Sequence, residues 1–463
     1  MEQRFGDLII RLSNGISHRR MYFDAHPRVV AVSREAAAEL AAVLRGNGES
    51  TFSFGVFGGK FVRHGHYLVG PSIAGRALVD FAERLHCGGF TFDAKVTAAD
   101  LIAFFRLGAE RGVAFTGLDE ARIAFAREGL GHIGLAPPLA EVGPVDAEVH
   151  ADAMAAACGK GDFEPLVDIY QAMYDAVSKN ALAVNDSGAI DVDRALAAGA
   201  GLISLNTGGA LDVMQFLRYP DYDSYTIGHS VRVAALSTLI GRKLGWSEPV
   251  LTELAAAGLL HDVGKGRIPA EILFKPGRLD EAERRVVEAH PETGARILLD
   301  NGERSALIMA ATWGHHLRHD GGGYPRRPAW HLPGVVAELV HVCDVFEALT
   351  ARRPYKRPLS PACAFELMLG DIDGFHPRLL AALIEVLGLY PPGSEVRLSD
   401  GRRAVVVTRG KALDRPRVRA THDQGGVPLA HELQPALDLD RAPDLSVTEL
   451  LTVGIGDCPA TGS

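Results

Sequence analysis

Residues 259 to 265 read Leu-Leu-His-Asp-Val-Gly-Lys. The stretch sets two metal-ligand residue types, His261 and Asp262, side by side at the end of an apolar, helix-forming run. Neighbouring side chains on a helix diverge by roughly 100 degrees, so a cation shared by such a pair must sit at a helix end or be flanked by other helices. Downstream a second adjacent pair, His315-His316, repeats the arrangement, and His229, His290 and Asp344 lie on the surrounding segments. The chain has 18 histidines, and eight of them fall between His229 and Asp344, which locates the chemistry. A lone histidine is more often a satisfied core residue than a ligand. Seven ligand-type residues on successive predicted helices instead point to an all-α domain holding a dinuclear centre. Asp344 follows Val340, Val342 and Cys343, which implies burial, and a buried carboxylate needs a partner that a cation would supply.

Outward from this core, the sequence divides into four stretches. Residues 1–139 alternate helix and strand patterns and predict an α/β domain. Ser33 is placed to cap a helix through Ala36, Leu40 and Leu44, and Phe52, Phe54 and Val56 alternate ahead of a Gly58-Gly59 turn and a return strand from Phe61 to Val69. Further helices fit 74–87, 98–111 and 119–128, with strands at Phe90-Phe92 and His132-Leu135. His64 and His66 share a strand face and could hold a metal, but a solvated hairpin face is the plainer reading. Residues 140–218 read as a helical connector, with apolar spacing at Leu166, Ile169, Tyr170, Met173 and Val177, a break at Asn185 to Gly188, and helices at Asp191 to Leu205 and Gly209 to Leu217. Residues 219–390 read as helical, and 391–463 as a small β appendage, with runs at 395–398 and 403–408 and a loose end at Cys458 to Ser463.

Composition narrows the class. Across 463 residues the net charge is −9, which argues against an open DNA or RNA surface built on phosphate neutralisation. Hydrophobic residues make up 47% and charged residues 23%, the balance of a folded globular chain. Neither a long apolar span nor a signal-peptide core is apparent, so a cytoplasmic location without a membrane span is expected. Five scattered cysteines without a Cys-x-x-Cys pair predict neither a disulfide framework nor a zinc knuckle.

From about Tyr225 to Tyr390 the chain resembles the HD-GYP phosphodiesterases, a branch of the HD phosphohydrolases. The pieces that carry the likeness are Y-T-I-G-H-S (225–230), L-L-H-D-V-G-K (259–265), I-P (268–269), L-F-K-P-G-R-L (273–279), H-P (290–291), H-H (315–316), D-G-G-G-Y-P (320–325) and C-D-V-F-E-A-L-T-A-R-R-P-Y-K (343–356). The resemblance implies hydrolysis of cyclic di-GMP to pGpG or GMP at two metals. One would take His229, His261, Asp262 and Asp344, and the other Asp262, His290, His315 and His316, with Asp262 bridging. Histidine-rich ligation suits iron, manganese or zinc better than magnesium, and iron or manganese is the expected pair.

Beside the ligands, Asp262 and Lys265 are the expected catalytic residues, the ammonium stabilising phosphate charge or helping protonate the leaving oxygen. Lys275, Tyr324, Arg353 and Lys356 are the expected substrate contacts. The last two belong to a run of four cations (Arg352, Arg353, Lys356, Arg357) that stands out against an acidic chain. In the family the Gly323-Tyr324-Pro325 loop also meets GGDEF-type cyclases, which makes such a cyclase a partner to consider, while homodimerisation is left open. Three departures stand out. Tyr225 occupies a position where some members have a third-metal glutamate, Leu317 follows the histidine pair where glutamate is usual, and Glu338 and Glu347 replace the commoner arginine and aspartate. Leu317 leaves room for a slow cyclic di-GMP receptor or scaffold, and the metal site alone would also serve another cyclic dinucleotide.

Overall fold

The computed structural model describes residues 2–63, 66–68, 71–72, 75–110, 115–138, 163–186, 188–205, 225–273, 275, 277–303, 305–327, 334–351, 359–391, 394–429 and 434–451. These residues form two compact units, one reaching Val167 and the other beginning at Asp168.

The first unit is α/β. Helices α1 (Glu2–Met21) and α2 (Pro27–Asn47) precede β1 (Thr51–Phe57), β2 (Lys60–Arg63) and β3 (His66–Tyr67). Then come α3 (Arg76–Arg84), β4 (Gly89–Asp93), α4 (Ala98–Ala109), α5 (Leu118–Arg127) and β5 (Ile133–Ala136). The strands make an antiparallel sheet of order β3-β2-β1-β4-β5. Phe52 pairs with Phe92 and Phe54 with Phe90, so period-two alternation puts four aromatic rings on one face, packed with Phe81 and Phe104.

Three expectations for this unit need correcting. Helix α2 starts at Pro27, not after Ser33, because His26 accepts a hydrogen bond from the Arg28 amide and Pro27 presets the first turn. Ser33 sits inside the helix and returns its hydroxyl to the Val30 carbonyl. The strand returning after Phe61 is broken in two, since β2 itself turns back to pair with β3. Helix α1 was not anticipated at all, although Phe5, Leu8, Ile9, Leu12 and Ile16 are all buried at helical spacing. Two glycines and several small polar residues dilute its pattern. Gly15 is required there, because a Cβ would lie 2.1 Å from the Phe105 ring. His64 lies outside the described residues.

The second unit is helical and ends in a sheet. Helices α6 (Phe163–Asp186), whose first turn precedes the boundary, and α7 (Val192–Leu205) lead to α8 (Tyr225–Lys243) and α9 (Glu248–Leu260). A 3-10 turn (Val263–Arg267) then precedes α10 (Ala270–Leu273), α11 (Glu281–Glu288), α12 (His290–Asp300), α13 (Ala306–Gly314), α14 (Val335–Thr350), α15 (Pro361–Gly370) and α16 (Pro377–Leu387). Residues 209–217, expected to be helical, lie outside the described residues. Helix α9 is buried all round over Leu254 to Leu260, the signature of a core helix. It meets α8 so closely that a Cβ on Gly258 would fall 2.5 Å from the Ala234 Cα.

Strands β6 (Glu395–Leu398), β7 (Arg403–Thr408), β8 (Arg417–His422), β9 (Ala436–Asp438) and β10 (Val447–Leu450) close the unit as an antiparallel sheet of order β10-β6-β7-β8-β9. Its small core comprises Val396, Leu398, Ala404, Val406, Val418 and Leu439. β6 and β7 are the two anticipated runs. Residues 458–463, expected as a loose end, lie outside the described residues. Cys87 and Cys343 are buried free thiols. No helix among the described residues is long and apolar enough to cross a membrane.

Candidate metal centre

Each ligand-type residue is delivered by a distinct local device. His229 lies in the second turn of α8, and His261 is the C-cap of α9 with Asp262 opening the 3-10 turn. His290 is the first residue of α12, ahead of Pro291, and His315 caps the C-terminus of α13 with His316 next in sequence. Asp344 projects from the middle of α14. Both adjacent pairs therefore stand at helix ends, where the chain turns and two successive side chains can converge. Gly264 and Gly294 let the 3-10 turn touch α12, since a Cβ on Gly264 would meet the His290 carbonyl at 2.0 Å.

The side chains converge in two groups that share Asp262: His229 with His261, and His290 with His315 and His316. Within each group the ligand atoms lie within 4.8 Å of one another. Asp262 Oδ1 is 3.2 Å from His290 Nε2 and 3.6 Å from His315 Nε2, while Oδ2 is 3.4 Å from His261 Nε2 and 3.7 Å from His229 Nε2. Asp344 spans the two groups, with Oδ1 3.0 Å from His229 Nε2 and Oδ2 3.6 Å from His316 Nδ1.

Proton positions decide what this cluster can hold. His261 Nδ1 is 2.7 Å from the Gly258 carbonyl, His290 Nδ1 is 2.7 Å from the Val287 carbonyl, and His315 Nδ1 is 3.0 Å from the Ala311 carbonyl. A carbonyl only accepts, so each Nδ1 carries the hydrogen, and in that tautomer Nε2 is the lone-pair nitrogen facing the cluster. The Nε2 atoms of His290 and His315 are 3.1 Å apart, two lone pairs facing each other beside a carboxylate. His261 Nε2 and Asp262 Oδ1 are buried without a hydrogen-bond partner. Inward-facing acceptors that lack a donor fit a pair of cations, with the outer hydrogen bonds fixing the tautomers.

Electrostatics follows the same geometry. Burial drives His261 down to about 3, and it lowers His290 and His316 too. Burial alone would raise Asp262 and Asp344, but Lys265 next to the first and His229 next to the second hold both carboxyls well below the usual range. His229 shifts the other way from these three imidazoles. Burial would lower it, but Glu347 and Asp344 outweigh that and raise it to about 9.

Glu347 was not singled out as functional, yet it is 2% exposed and wedged between His229 Nδ1, at 2.5 Å, and Arg232 Nε, at 2.6 Å. His341 was likewise missed, and its Nδ1 donates to the His315 carbonyl at 2.8 Å. Their one sequence signal is polarity inside the otherwise apolar run of α14.

Lys265 Nζ lies 2.5 Å from Asp262 Oδ2, placed by the 3-10 turn and not by a continuing α-helix. The Tyr324 ring is tilted over His316 with centroids 4.5 Å apart, and burial, then Asp344 and Asp262, raise its phenol. Its loop is held by Arg318, which bonds both Asp320 and Asp371, and by Gly323, whose φ of +83 degrees lets it pass the His316 carbonyl. Lys275 is engaged elsewhere: its Nζ donates to both Glu283 oxygens at 2.7 and 2.5 Å, tying the loop to the start of α11. Arg353, Lys356 and the Tyr225 side chain lie outside the described residues. Leu317 is buried, and among the described residues no carbonyl or carboxylate orients the second nitrogen of His316, whose ring Tyr324 covers instead. Glu338 accepts from His319 Nδ1 at 2.6 Å.

A helical unit that draws five histidines and two aspartates from its helix ends and core around one shared carboxylate is an HD-type metal-binding domain. The family model described as HD domain matches residues 220–373. A cyclic di-GMP phosphodiesterase of Pseudomonas aeruginosa is 39% identical over 232 residues, 50% of this chain and 55% of that protein. A 3'3'-cGAMP-specific phosphodiesterase of Vibrio cholerae is 38% identical over 168 residues, 36% of each chain. A cyclic di-GMP phosphodiesterase of Thermotoga maritima is 38% identical over 181 residues, 38% of this chain and 48% of that one. The chain thus spans about half the length, or less, of these relatives. Residues 220–373 thus form a domain of the HD superfamily, and they carry Gly323-Tyr324-Pro325 beside the cluster.

Proposed function

We propose that the chain is a metal-dependent phosphodiesterase that hydrolyses cyclic di-GMP to pGpG, GMP or both. One iron or manganese ion would be held by His229, His261, Asp262 and Asp344, and the other by Asp262, His290, His315 and His316. The observation that carries this reading is the sharing of Asp262 between two groups of inward-facing imidazoles. Two such cations supply Lewis acidity to a phosphodiester and lower the pKa of water. Asp262 fixes the spacing of the two positions, and Lys265 places a positive charge at the same carboxylate, ready to turn toward a phosphoryl oxygen. Tyr324 covers His316 and offers a ring for a base to stack on. Arg353 and Lys356 take the dinucleotide phosphates in this reading, and the Gly323-Tyr324-Pro325 loop a GGDEF-type cyclase, within the cytoplasm.

The test is cyclic di-GMP turnover followed by chromatography, on protein purified anaerobically and reconstituted with ferrous iron or manganese, beside Asp262→Ala. Metal-dependent release of pGpG or GMP, lost in the variant, is expected. Full metal loading with ligand binding but no turnover would overturn the enzyme reading in favour of a receptor or scaffold. Leu317, buried where an orienting acceptor for His316 is usual, is the observation that favours that second reading.

A further inference from the structure

A cleft of about 520 Å³ opens beside the cluster, lined by Arg278, Leu279, Arg284, Val287, Glu288 and Tyr324. Its size falls within the roughly 300–1,000 Å³ of small-ligand sites. Its lining comes from α11, from the two residues before the Asp280 cap, and from Tyr324, whose ring lies 4.5 Å from that of His316 and 6.2 Å from that of His290. Arg284, Val287 and Glu288 stand at i, i+3 and i+4 and so share one face of α11. The lysine expected to meet substrate is bound to Glu283, but the two arginines are not so engaged. Among the described residues neither guanidinium takes part in an ion pair, although Glu281, Glu283 and Glu288 are close in sequence. Two guanidiniums outside any ion pair among the described residues and a carboxylate, set with Leu279, Val287 and the Tyr324 ring, describe a site for a flat, polar-edged ring.

We propose that this cleft reads a guanine base, with Arg284 donating to O6 and N7, Glu288 accepting from N1–H and the 2-amino group, and Tyr324 with Val287 flanking the ring. The proposal rests on the phosphodiesterase reading above and names the substrate feature that the same site selects. Both charged groups discriminate in one direction. Arginine matches the paired acceptors of guanine bidentately, whereas adenine turns its 6-amino donor toward the guanidinium. A carboxylate matches the two donors on guanine's pairing edge, whereas adenine presents the N1 lone pair there. Arg278, also in the lining, contributes positive charge without reading an edge. The relatives' described activities divide between cyclic di-GMP and 3'3'-cGAMP, which differ in one base, so this is the distinction such a cleft would make.

The test is equilibrium binding of the hydrolysis-resistant bis-phosphorothioate forms of cyclic di-GMP and cyclic di-AMP to the full, metal-loaded chain. Wild-type protein, Arg284→Ala and Glu288→Gln are compared, with hydrolysis of the natural dinucleotides followed in parallel. Wild type is expected to prefer the guanine ligand about tenfold or more, and each variant to erode that ratio about tenfold by weakening the guanine ligand alone. Equal weakening of both ligands would overturn the proposal and leave the cleft an electrostatic anchor. A wild-type chain without base preference, or variants that keep it, would overturn it too. Absent hydrolysis with a shifted binding ratio would refute the phosphodiesterase reading and leave the guanine site standing.

Discussion

Replacing Glu347 with glutamine removes one negative charge from a position that is 2% exposed and leaves the shape almost unchanged. In the native protein one carboxylate oxygen faces His229 Nδ1 at 2.5 Å and the other faces Arg232 Nε at 2.6 Å. Glutamine has one acceptor, so its amide nitrogen must point at one of these two donors. Breaking one side of a buried charge pair costs about 3–5 kcal/mol, and glutamine, which keeps one hydrogen bond, belongs at the lower end. At roughly 2–4 °C per kcal/mol for a domain of this size, a fall in Tm of about 6–12 °C follows. The second consequence concerns the cluster. His229 loses the partner that fixes its tautomer and aims Nε2 at Asp344 and Asp262, so metal affinity should fall about 10- to 100-fold. Chelator competition with manganese, read together with the melting temperature, separates the two effects. A lower Tm with unchanged affinity would make the Arg232–Glu347–His229 chain purely structural, and wild-type values for both would refute the reasoning.

Three further outcomes are expected. Gly264→Ala forces a Cβ to within 2.0 Å of the His290 carbonyl and 2.6 Å of the Gly294 amide, so the 3-10 turn must move off α12 at a cost of about 3 kcal/mol or more. Metal content measured by atomic emission should drop below two per chain, and a normal content with a normal Tm would contradict this. Lys265→Met keeps the aliphatic stem but removes the charge at Asp262, and should lower kcat about a hundredfold while both metals stay bound. An unchanged kcat would take the ammonium out of the chemistry. In the first unit, burial lowers His18 to about 4, helped by Arg28 and His26, against an ordinary value of 6.5. The unfolded chain therefore binds the proton first, and stability is complete above pH 6.5 and falls as pH drops toward 4, by up to about 3 kcal/mol. Denaturant unfolding of His18→Gln should show a shallower loss across that window, and parallel profiles for the two proteins would argue against it.

The centre was legible because its chemistry is rare. Adjacent ligand residues at 261–262 and 315–316 are unusual, and a shared cation requires a helix end or flanking helices, so the pattern carries geometry as well as composition. The aromatic sheet of the first unit was legible for a related reason, since Phe52, Phe54, Phe90 and Phe92 keep strict period-two spacing. Strands β8 to β10 were not, because short runs such as Arg417 to His422 mix arginine with valine and alanine on an edge-rich sheet. Helix α1 escaped because Gly6, Ser13, Asn14 and Gly15 interrupt its apolar stripe where neighbouring side chains fill the space.

By itself the sequence determined which residue types are present for metal chemistry and on which segments they stand, because those depend on local spacing. Only the tertiary structure decided their partners. Glu347 reaches His229 across 118 residues, and the Lys275 side chain turns to Glu283 while Arg278 and Arg284 line the cleft. Such choices depend on which side chains packing brings within about 3 Å of each other, and separation along the chain does not encode that distance.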